Sequence, residues 1–169
     1  MAAPALGPDE IRLAAPIQSD SIVDGDGLRA VVWAQGCRRF CPGCHNPESW
    51  DFDKGDIVKI DWVIAQLSKL RGQSGITFSG GEPFLQPKTY KKIADWAHRE
   101  KSWTVWSFSG YTYEQLKAEG GDKWELVKSL DALIDGPFVL GLRDISLKFR
   151  GSKNQRLLHL KNGEIISIE

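Results

Sequence analysis

All three cysteines of the 169-residue chain fall within eight positions, in a Cys-x3-Cys-x2-Cys arrangement of Cys37, Cys41 and Cys44. Thiolate sulfur is the preferred ligand of soft metal centres such as zinc and iron–sulfur clusters. Pro42-Gly43 favours a turn that folds this cysteine loop, residues 36–46, around its ligands. A structural zinc ion takes four protein ligands, so His45 would complete a zinc site. A cubane cluster on three cysteines instead leaves one iron open to an outside ligand. The residues alone allow both centres.

A second motif, Gly80-Gly81-Glu82-Pro83, follows the apolar segment Gly75–Ser79, which has the length of a short strand. A glycine pair after a strand permits a tight turn, and this is the simpler explanation of Gly-Gly taken alone. Glycines also permit close backbone approach to a ligand, and a carboxylate pairs with an ammonium group. The motif therefore indicates either a plain turn or the binding site of an amino group.

The two motifs in this order resemble those of the radical S-adenosylmethionine enzymes. The resemblance implies a [4Fe-4S] cluster on the three cysteines. The open iron of this cluster would bind S-adenosylmethionine. Electron transfer into the sulfonium would then produce a 5′-deoxyadenosyl radical, with no protein nucleophile or acid–base pair. The segment Ser21–Arg29 and Trp50-Asp51 are similar to those of activating enzymes that install a glycyl radical in a partner. The resemblance implies cofactor contacts at His45, Asn46, Ser79, Gly80, Gly81, Glu82, Ser107, Ser109, Gly110 and Asp135.

The C-terminal part, with Asp135–Phe138, Arg143-Asp144 and Phe149–Arg156, resembles the activating enzymes of anaerobic (class III) ribonucleotide reductase. That family implies two partners, the large glycyl-radical subunit of the reductase and an electron donor such as flavodoxin or ferredoxin. Scattered basic residues between positions 139 and 156 are typical of a solvated loop. Our hypothesis is that three of them contact the client protein or the cofactor: Arg143, Arg150 and Arg156.

Two alternatives remain at this point. The same chemistry could serve another glycyl-radical enzyme, such as pyruvate formate-lyase. A non-catalytic zinc-binding interaction module could instead use the three cysteines and His45. Gly-Gly-Glu-Pro at a strand end argues against the module, because a zinc site does not need it.

Alternating patterns predict an α/β fold with a parallel sheet and helical crossovers. The predicted strands are Leu28–Ala34, Gly75–Ser79, Trp103–Ser107 and Asp131–Phe138, with a weak edge strand over Ile11–Ile17. The predicted helices are Ile57–Leu70, Thr89–Glu100, one that opens at an N-cap on Thr112, and Trp124–Leu130. Asn162-Gly163 predicts a small C-terminal hairpin. The resemblance implies a shortened, open (β/α) partial barrel.

Length and composition predict one domain over residues 1–169, with a loose lead at 1–10 and a basic segment and hairpin at 139–169. The 22 basic and 22 acidic residues balance, without a block of like charge, so we expect no nucleic-acid partner. Apolar runs fall short of the roughly 20 residues that span a membrane. Clustered cysteines do not form a disulfide framework and favour a reduced cytoplasm.

Overall fold

A computed structural model describes residues 6–169, and the first five residues of the expected loose lead lie outside the described residues. The described chain forms one mixed sheet, whose strands are β1 (Glu10–Leu13), β2 (Gln18–Ser21), β3 (Arg29–Ala34), β4 (Asp56–Lys59), β5 (Gly75–Gly80), β6 (Thr104–Phe108), β7 (Ala132–Asp135), β8 (Arg156–Lys161) and β9 (Glu164–Ile168). The helices are α1 (Ile60–Ser68), α2 (Pro87–Trp96), α3 (Tyr113–Glu119) and α4 (Gly121–Lys128).

The strand order is β4-β1-β3-β5-β6-β7-β8-β9, and β2 also pairs with β3. The four central strands β3, β5, β6 and β7 are parallel, with helices in the connections between them. This confirms the α/β class and the predicted crossovers. Antiparallel pairs flank the parallel centre on both sides, through β1 and β4 on one and β8 and β9 on the other.

The helices pack on one face of the parallel strands. Val32, Phe78, Val105 and Leu133 of the sheet share a fully buried apolar cluster with α1, α2 and α4. Alternate residues of a strand point to opposite faces. The next positions along the chain, among them Trp106 and Ile134, therefore belong to a second, smaller cluster on the other face. Residues of this second face border the cavity described below.

Two predicted elements need correction. The helix predicted from Ile57 is wrong in its first turn, because Asp56–Lys59 is a strand that pairs antiparallel with β1. Lys59 is extended at φ −76° and ψ 144°, and the helix begins at Ile60. The predicted edge strand is also wrong in part, because β1 ends at Leu13 and lies between β3 and β4. The β-branched side chains of Ile57 and Val58 suit a strand as well as a helix, and only the distant partner decides.

Other predicted boundaries shift by a few residues; the strand predicted over Asp131–Phe138, for example, covers only Ala132–Asp135. The helix predicted over Thr89–Glu100 starts at Pro87 and passes after Trp96 into a π-helical turn, which ends at the left-handed Ser102. The helix predicted from Trp124 already begins at Gly121.

Two local predictions are confirmed. Thr112 caps α3, since its hydroxyl accepts from the amide of Gln115 while the Gln115 side chain accepts from the amide of Thr112. Asn162 and Gly163 both have positive φ, as a two-residue hairpin turn requires. Among the described residues, none of the helices combines the length and apolar character needed to cross a bilayer.

Candidate functional site

A cavity of about 840 Å³ lies at the carboxyl ends of β3, β5, β6 and β7. Loops that follow parallel strands meet at one edge of a sheet, and ligands of open α/β folds bind there. The volume falls within the roughly 300–1,000 Å³ of ordinary ligand sites. The cysteine loop, the Gly-Gly-Glu motif and parts of residues 22–24 and 147–151 all line this cavity.

The cysteine loop is anchored to the end of β3 by backbone hydrogen bonds. The amide of Gly36 donates to the carbonyl of Ser49 at 2.6 Å, and that of Cys37 donates to Trp50 at 3.2 Å. The amide of Cys44 donates to the carbonyl of Cys41 at 3.1 Å, which closes the predicted turn. The loop therefore leaves the sheet, turns and returns to the same strand end.

The three cysteines fit a cluster ligand set. Cys37, Cys41 and Cys44 are free thiols of intermediate exposure, and all three line the cavity. Within residues 6–169, no three His, Cys, Asp or Glu side chains are gathered closely enough to hold a single metal ion. A cubane cluster does not require such convergence, because each thiolate binds a different iron atom.

The Cys37 thiol has some surroundings that disfavour its thiolate form and one hydrogen bond that favours it. Burial raises the pKa of the Cys37 thiol, and nearby Glu82 raises it further. A backbone amide at Arg39 acts in the opposite direction by stabilising the thiolate. The amide of Asn46 points at the sulfur of Cys44 at 3.4 Å. Metal ligation would offset the burial penalty on Cys37, since a bound cation favours the thiolate.

Gly80 and Gly81 are required by the packing of two strand ends. A side chain on Gly80 would lie 2.5 Å from the carbonyl oxygen of Ala34, and one on Gly81 would lie 2.5 Å from that of Gly36. The amide of Gly81 donates to Ala34 at 2.7 Å, and the amide of Glu82 donates to Gly36 at 2.9 Å. The glycine pair thus joins the end of β5 to the root of the cysteine loop.

Glu82 is a buried carboxylate at the edge of the cavity, with only 2% of its surface exposed. It accepts hydrogen bonds from the amide of Gly110 at 2.6 Å, the amide of Phe84 at 3.1 Å and the hydroxyl of Ser109 at 3.1 Å. Burial raises the pKa of Glu82, while these donors and the charge of Arg39 act in the opposite direction. Three donors leave part of the acceptor capacity of a carboxylate free.

Most predicted site residues border the cavity. Besides the cysteines these are His45, Asn46, Ser79, Gly80, Gly81, Glu82, Ser109, Gly110 and Arg150. Four others are not part of the lining: Ser107, Asp135, Arg143 and Arg156. Ser107 is fully buried on β6, and its hydroxyl donates to the carbonyl of Phe108. Arg143 is an exposed residue whose backbone forms an isolated bridge with Ser152.

Arg156 lies in an ion-pair network that is not part of the cavity lining. Its guanidinium binds Asp135, which is 1% exposed, and also binds both carboxylate oxygens of Glu114 at 3.0 and 2.7 Å. Asp135 accepts in addition from the amide of Tyr113 at 2.8 Å. Hydrogen bonds from Arg156 lower the pKa of Glu114, and those carboxylates raise the pKa of Arg156. The network joins β7, β8 and the start of α3.

The C-terminal Gly-Ser-Lys-Asn-Gln motif holds the loop that follows β7. The Gln155 side chain accepts from the amide of Gly151 at 2.8 Å and donates to the carbonyl of Gly136 at 3.0 Å. The Asn154 side chain donates to the carbonyl of Pro137 at 2.7 Å. Phe138, which follows directly, lines the cavity and lies beside the ring of His45 at 5.6 Å between centroids.

Several lining residues were not predicted as site residues. They include Asp24, Trp33, Arg39, Phe108, Phe138 and Phe149. Trp33 and Phe108 lie on the strand face opposite the helices, so strand alternation was a usable signal for them. Arg39 carries no such signal, because its neighbour Arg38 has the same side chain and is exposed.

Comparison with known proteins gives one consistent result. Residues 23–158 match the 4Fe-4S single cluster domain family. Anaerobic ribonucleoside-triphosphate reductase-activating proteins are similar over most of their length. That of Escherichia coli is 34% identical, covering 83% of this chain and 94% of that protein. That of Haemophilus influenzae is 32% identical, covering 83% and 93%. That of Enterobacteria phage T4 is 34% identical, covering 80% and 86%.

Proposed function

The chain belongs to the family of anaerobic ribonucleoside-triphosphate reductase-activating proteins, and from this premise we propose that it installs a glycyl radical in an anaerobic ribonucleotide reductase. It is an oxidoreductase that uses a [4Fe-4S] cluster and S-adenosylmethionine. The observation that carries the proposal is that the three cysteines and Glu82, which follow two separate strand ends, line the same cavity.

Cys37, Cys41 and Cys44 would hold the cluster in this proposal. When bound, the cluster supplies one electron for reductive cleavage of S-adenosylmethionine to methionine and a 5′-deoxyadenosyl radical, which takes a hydrogen atom from a glycine Cα of the reductase. The protein's own contribution is position and exclusion of solvent. Backbone hydrogen bonds from Gly36 and Cys37 to Ser49 and Trp50 fix the base of the cysteine loop.

Glu82 would orient the amino group of S-adenosylmethionine. Its carboxylate is itself held in one orientation by hydrogen bonds from Ser109, Gly110 and Phe84. Cavity walls at Trp33 and Phe108 offer apolar surface to the nucleoside part of the ligand. Apolar side chains that exclude water would also protect a radical from side reactions.

Two partners belong to the proposal. The reductase must reach the cavity mouth, where Ile22 and Val23 line the opening and are 75% and 70% exposed. An electron donor such as flavodoxin or ferredoxin would reduce the cluster, because the cysteine loop offers no electron source of its own. No nucleic acid is required. The proposed compartment is a reducing one such as the cytoplasm, which three free thiols support.

We also propose that the fold is a shortened, open partial barrel of the radical S-adenosylmethionine type, formed as a single domain over the whole chain. The four parallel strands with helices on one face and a ligand cavity at their carboxyl ends support this assignment. Activation of another glycyl-radical enzyme, such as pyruvate formate-lyase, is less well supported, because the similar proteins are named for the ribonucleotide reductase.

Iron and sulfide analysis of anaerobically prepared protein tests the cofactor assignment. We expect about four iron and four sulfide per chain and a broad visible absorption. Alanine at Cys37, Cys41 or Cys44 should abolish the cluster, since the chain has no other cysteine to replace the ligand. His45→Ala is the matched control that should keep the iron. A colourless protein that binds one zinc ion and loses it in His45→Ala would establish the zinc module instead.

A further inference from the structure

Arg39 connects the cysteine loop to the end of β6. It lies between Cys37 and Cys41 in sequence, and its side chain lines the cavity. The guanidinium stands over the ring of Tyr111, with 4.5 Å from its central carbon to the ring centroid. The side chain also lies against Gly110, where an added side-chain carbon would meet the Cδ of Arg39 at 2.1 Å.

The Nε atom of Arg39 is buried and has no hydrogen-bond partner among the described residues. Leaving a buried donor unpaired is unfavourable by roughly 1–3 kcal/mol, and more for a charged group. Glu82 is a nearby carboxylate: burial raises its pKa, and the charge of Arg39 is one of the influences that act in the opposite direction. However, the hydrogen bonds that Glu82 accepts come from Phe84, Ser109 and Gly110, and none of them comes from Arg39. The guanidinium of Arg39 therefore keeps donors for an acceptor that a ligand in the cavity can supply.

Arg39 and Glu82 stand side by side at Gly110. A side-chain carbon placed on Gly110 would be 2.4 Å from the Nε of Arg39 and 3.3 Å from the Oε1 of Glu82. A cationic and an anionic group that are adjacent, border the same cavity and make no hydrogen bond to each other are complementary to a zwitterion. The amino-acid end of S-adenosylmethionine carries an ammonium group and a carboxylate on one carbon atom.

We propose that Arg39 binds the carboxylate of the methionine moiety of S-adenosylmethionine, opposite the ammonium site at Glu82. The proposal rests on the function given above. A planar guanidinium suits this task, because it can donate two hydrogen bonds to one carboxylate. Stacking on Tyr111 fixes the plane of the guanidinium before the ligand arrives.

Arg38 provides a matched control on the same loop. It is exposed, and its guanidinium lies over Phe52 at 5.2 Å rather than over Tyr111. The same substitution at Arg38 and Arg39 therefore removes the same charge from the loop, but only Arg39→Gln removes it from the cavity wall.

The test compares binding of S-adenosylmethionine with binding of its decarboxylated form, measured by anaerobic equilibrium dialysis on cluster-loaded protein. For Arg39→Gln we expect the affinity for S-adenosylmethionine to fall about ten- to hundredfold, with less than about threefold change for the decarboxylated ligand. Arg38→Gln should bind both ligands like wild type. Iron and sulfide content of each variant establishes that equal cluster loading is compared.

Equal weakening of both ligands by Arg39→Gln would overturn the proposal, since Arg39 would then act on the loop or the cluster rather than on the carboxylate. Unchanged affinity for both ligands would overturn it as well. If Arg39→Gln does not load a cluster, Arg39→Lys replaces it, because lysine keeps the charge and loses the planar fork. Arg39→Lys should weaken S-adenosylmethionine several-fold and leave the decarboxylated ligand unchanged, and equal effects on both would reject the proposal. Failure of the proposed function has a different signature, namely a wild-type protein that binds neither ligand.

Discussion

At the scale of single residues, the proposed role of Glu82 and its burial have opposite effects on the charge of its carboxylate. As the proposed ammonium site it must be ionised, whereas its burial disfavours the ionised form. Hydrogen bonds from Phe84, Ser109 and Gly110 compensate in part, and the charge of Arg39 adds to them. Binding of a cationic group stabilises the ionised form of this buried carboxylate, because the ligand places a positive charge next to it.

Burial raises the pKa of Glu82 above its ordinary value of 4.5, and this gives a pH prediction for the metal-free protein. The folded chain holds the Glu82 proton more tightly than the unfolded chain. The stability from this proton is therefore fully present below the unfolded pKa and is lost as the pH rises through the higher folded pKa. Glu82→Gln cannot titrate, so its destabilisation relative to wild type should shrink as the pH rises from about 4.5.

Urea unfolding of wild type and Glu82→Gln at several pH values measures this difference. A destabilisation that grows with pH would mean that the folded pKa of Glu82 lies below its ordinary value, contrary to the effect of burial.

At the scale of elements, the segment 151–156 acts as a brace for the loop after β7. Gln155 bonds to Gly136 and Gly151, and the neighbouring Lys153 is exposed. Gln155→Ala should lower the free energy of unfolding by about 1–3 kcal/mol, because buried backbone groups lose their partners. It should also weaken S-adenosylmethionine binding through the loosened Phe138. Lys153→Ser is the matched control and should change stability by no more than about 0.5 kcal/mol. Equal stability of the two variants in urea would contradict the brace.

The Arg156 network gives a different prediction from the one that its basic segment first suggested. Arg156→Ala leaves Asp135 buried without its ion-pair partner, which should destabilise the protein by on the order of 3 kcal/mol. Cleavage of S-adenosylmethionine per folded molecule should change little, since Arg156 is not part of the cavity lining. Thermal unfolding and a cleavage assay with a chemical reductant measure the two effects. Wild-type stability with lost cleavage would return Arg156 to the cofactor site.

Sequence patterns predicted the parallel centre of the fold because its information is local. Each central strand is a short apolar run, each crossover has helical periodicity, and the caps and turns at Thr112 and Asn162 depend on neighbouring residues. The strand β4 was not predictable in the same way, because only its pairing with the distant β1 distinguishes it from a helix start. Tertiary contact overrides local preference at such a position.

The same distinction applies to the site. The position of the cysteines and Glu82 at one cavity could be predicted, because each lies in a motif at a strand end, and parallel strands bring those ends together. The contacts of Arg39 and Arg156 could not be predicted from sequence, because they are made with Tyr111 and Asp135, which lie far away along the chain. A basic residue carries no sign of its partner until the fold places them together.

At the scale of the whole molecule, the two ends of the parallel strands differ: buried side chains fill the amino end, and the cavity lies at the carboxyl end. Arg29, the first residue of β3, is 1% exposed. Its guanidinium donates to Thr77, Thr104 and the carbonyl of Ile76, and it lies over the ring of Trp106. Burial lowers the pKa of Arg29 to about 10. At the opposite, carboxyl end of the parallel strands lie the cavity, the cysteine loop and the exposed side chains of Ile22 and Val23.

The most direct test of the central claim is electron paramagnetic resonance of the reductase after anaerobic incubation with this protein, S-adenosylmethionine and a chemical reductant. We predict an organic radical signal on a glycine of the reductase with the wild-type protein. The signal should be absent when Cys44→Ala replaces it or when S-adenosylmethionine is omitted. A cluster-loaded wild-type protein that cleaves S-adenosylmethionine yet leaves the reductase without a radical would contradict the assignment of the client. A radical of equal yield with Cys44→Ala would contradict the role of the cluster.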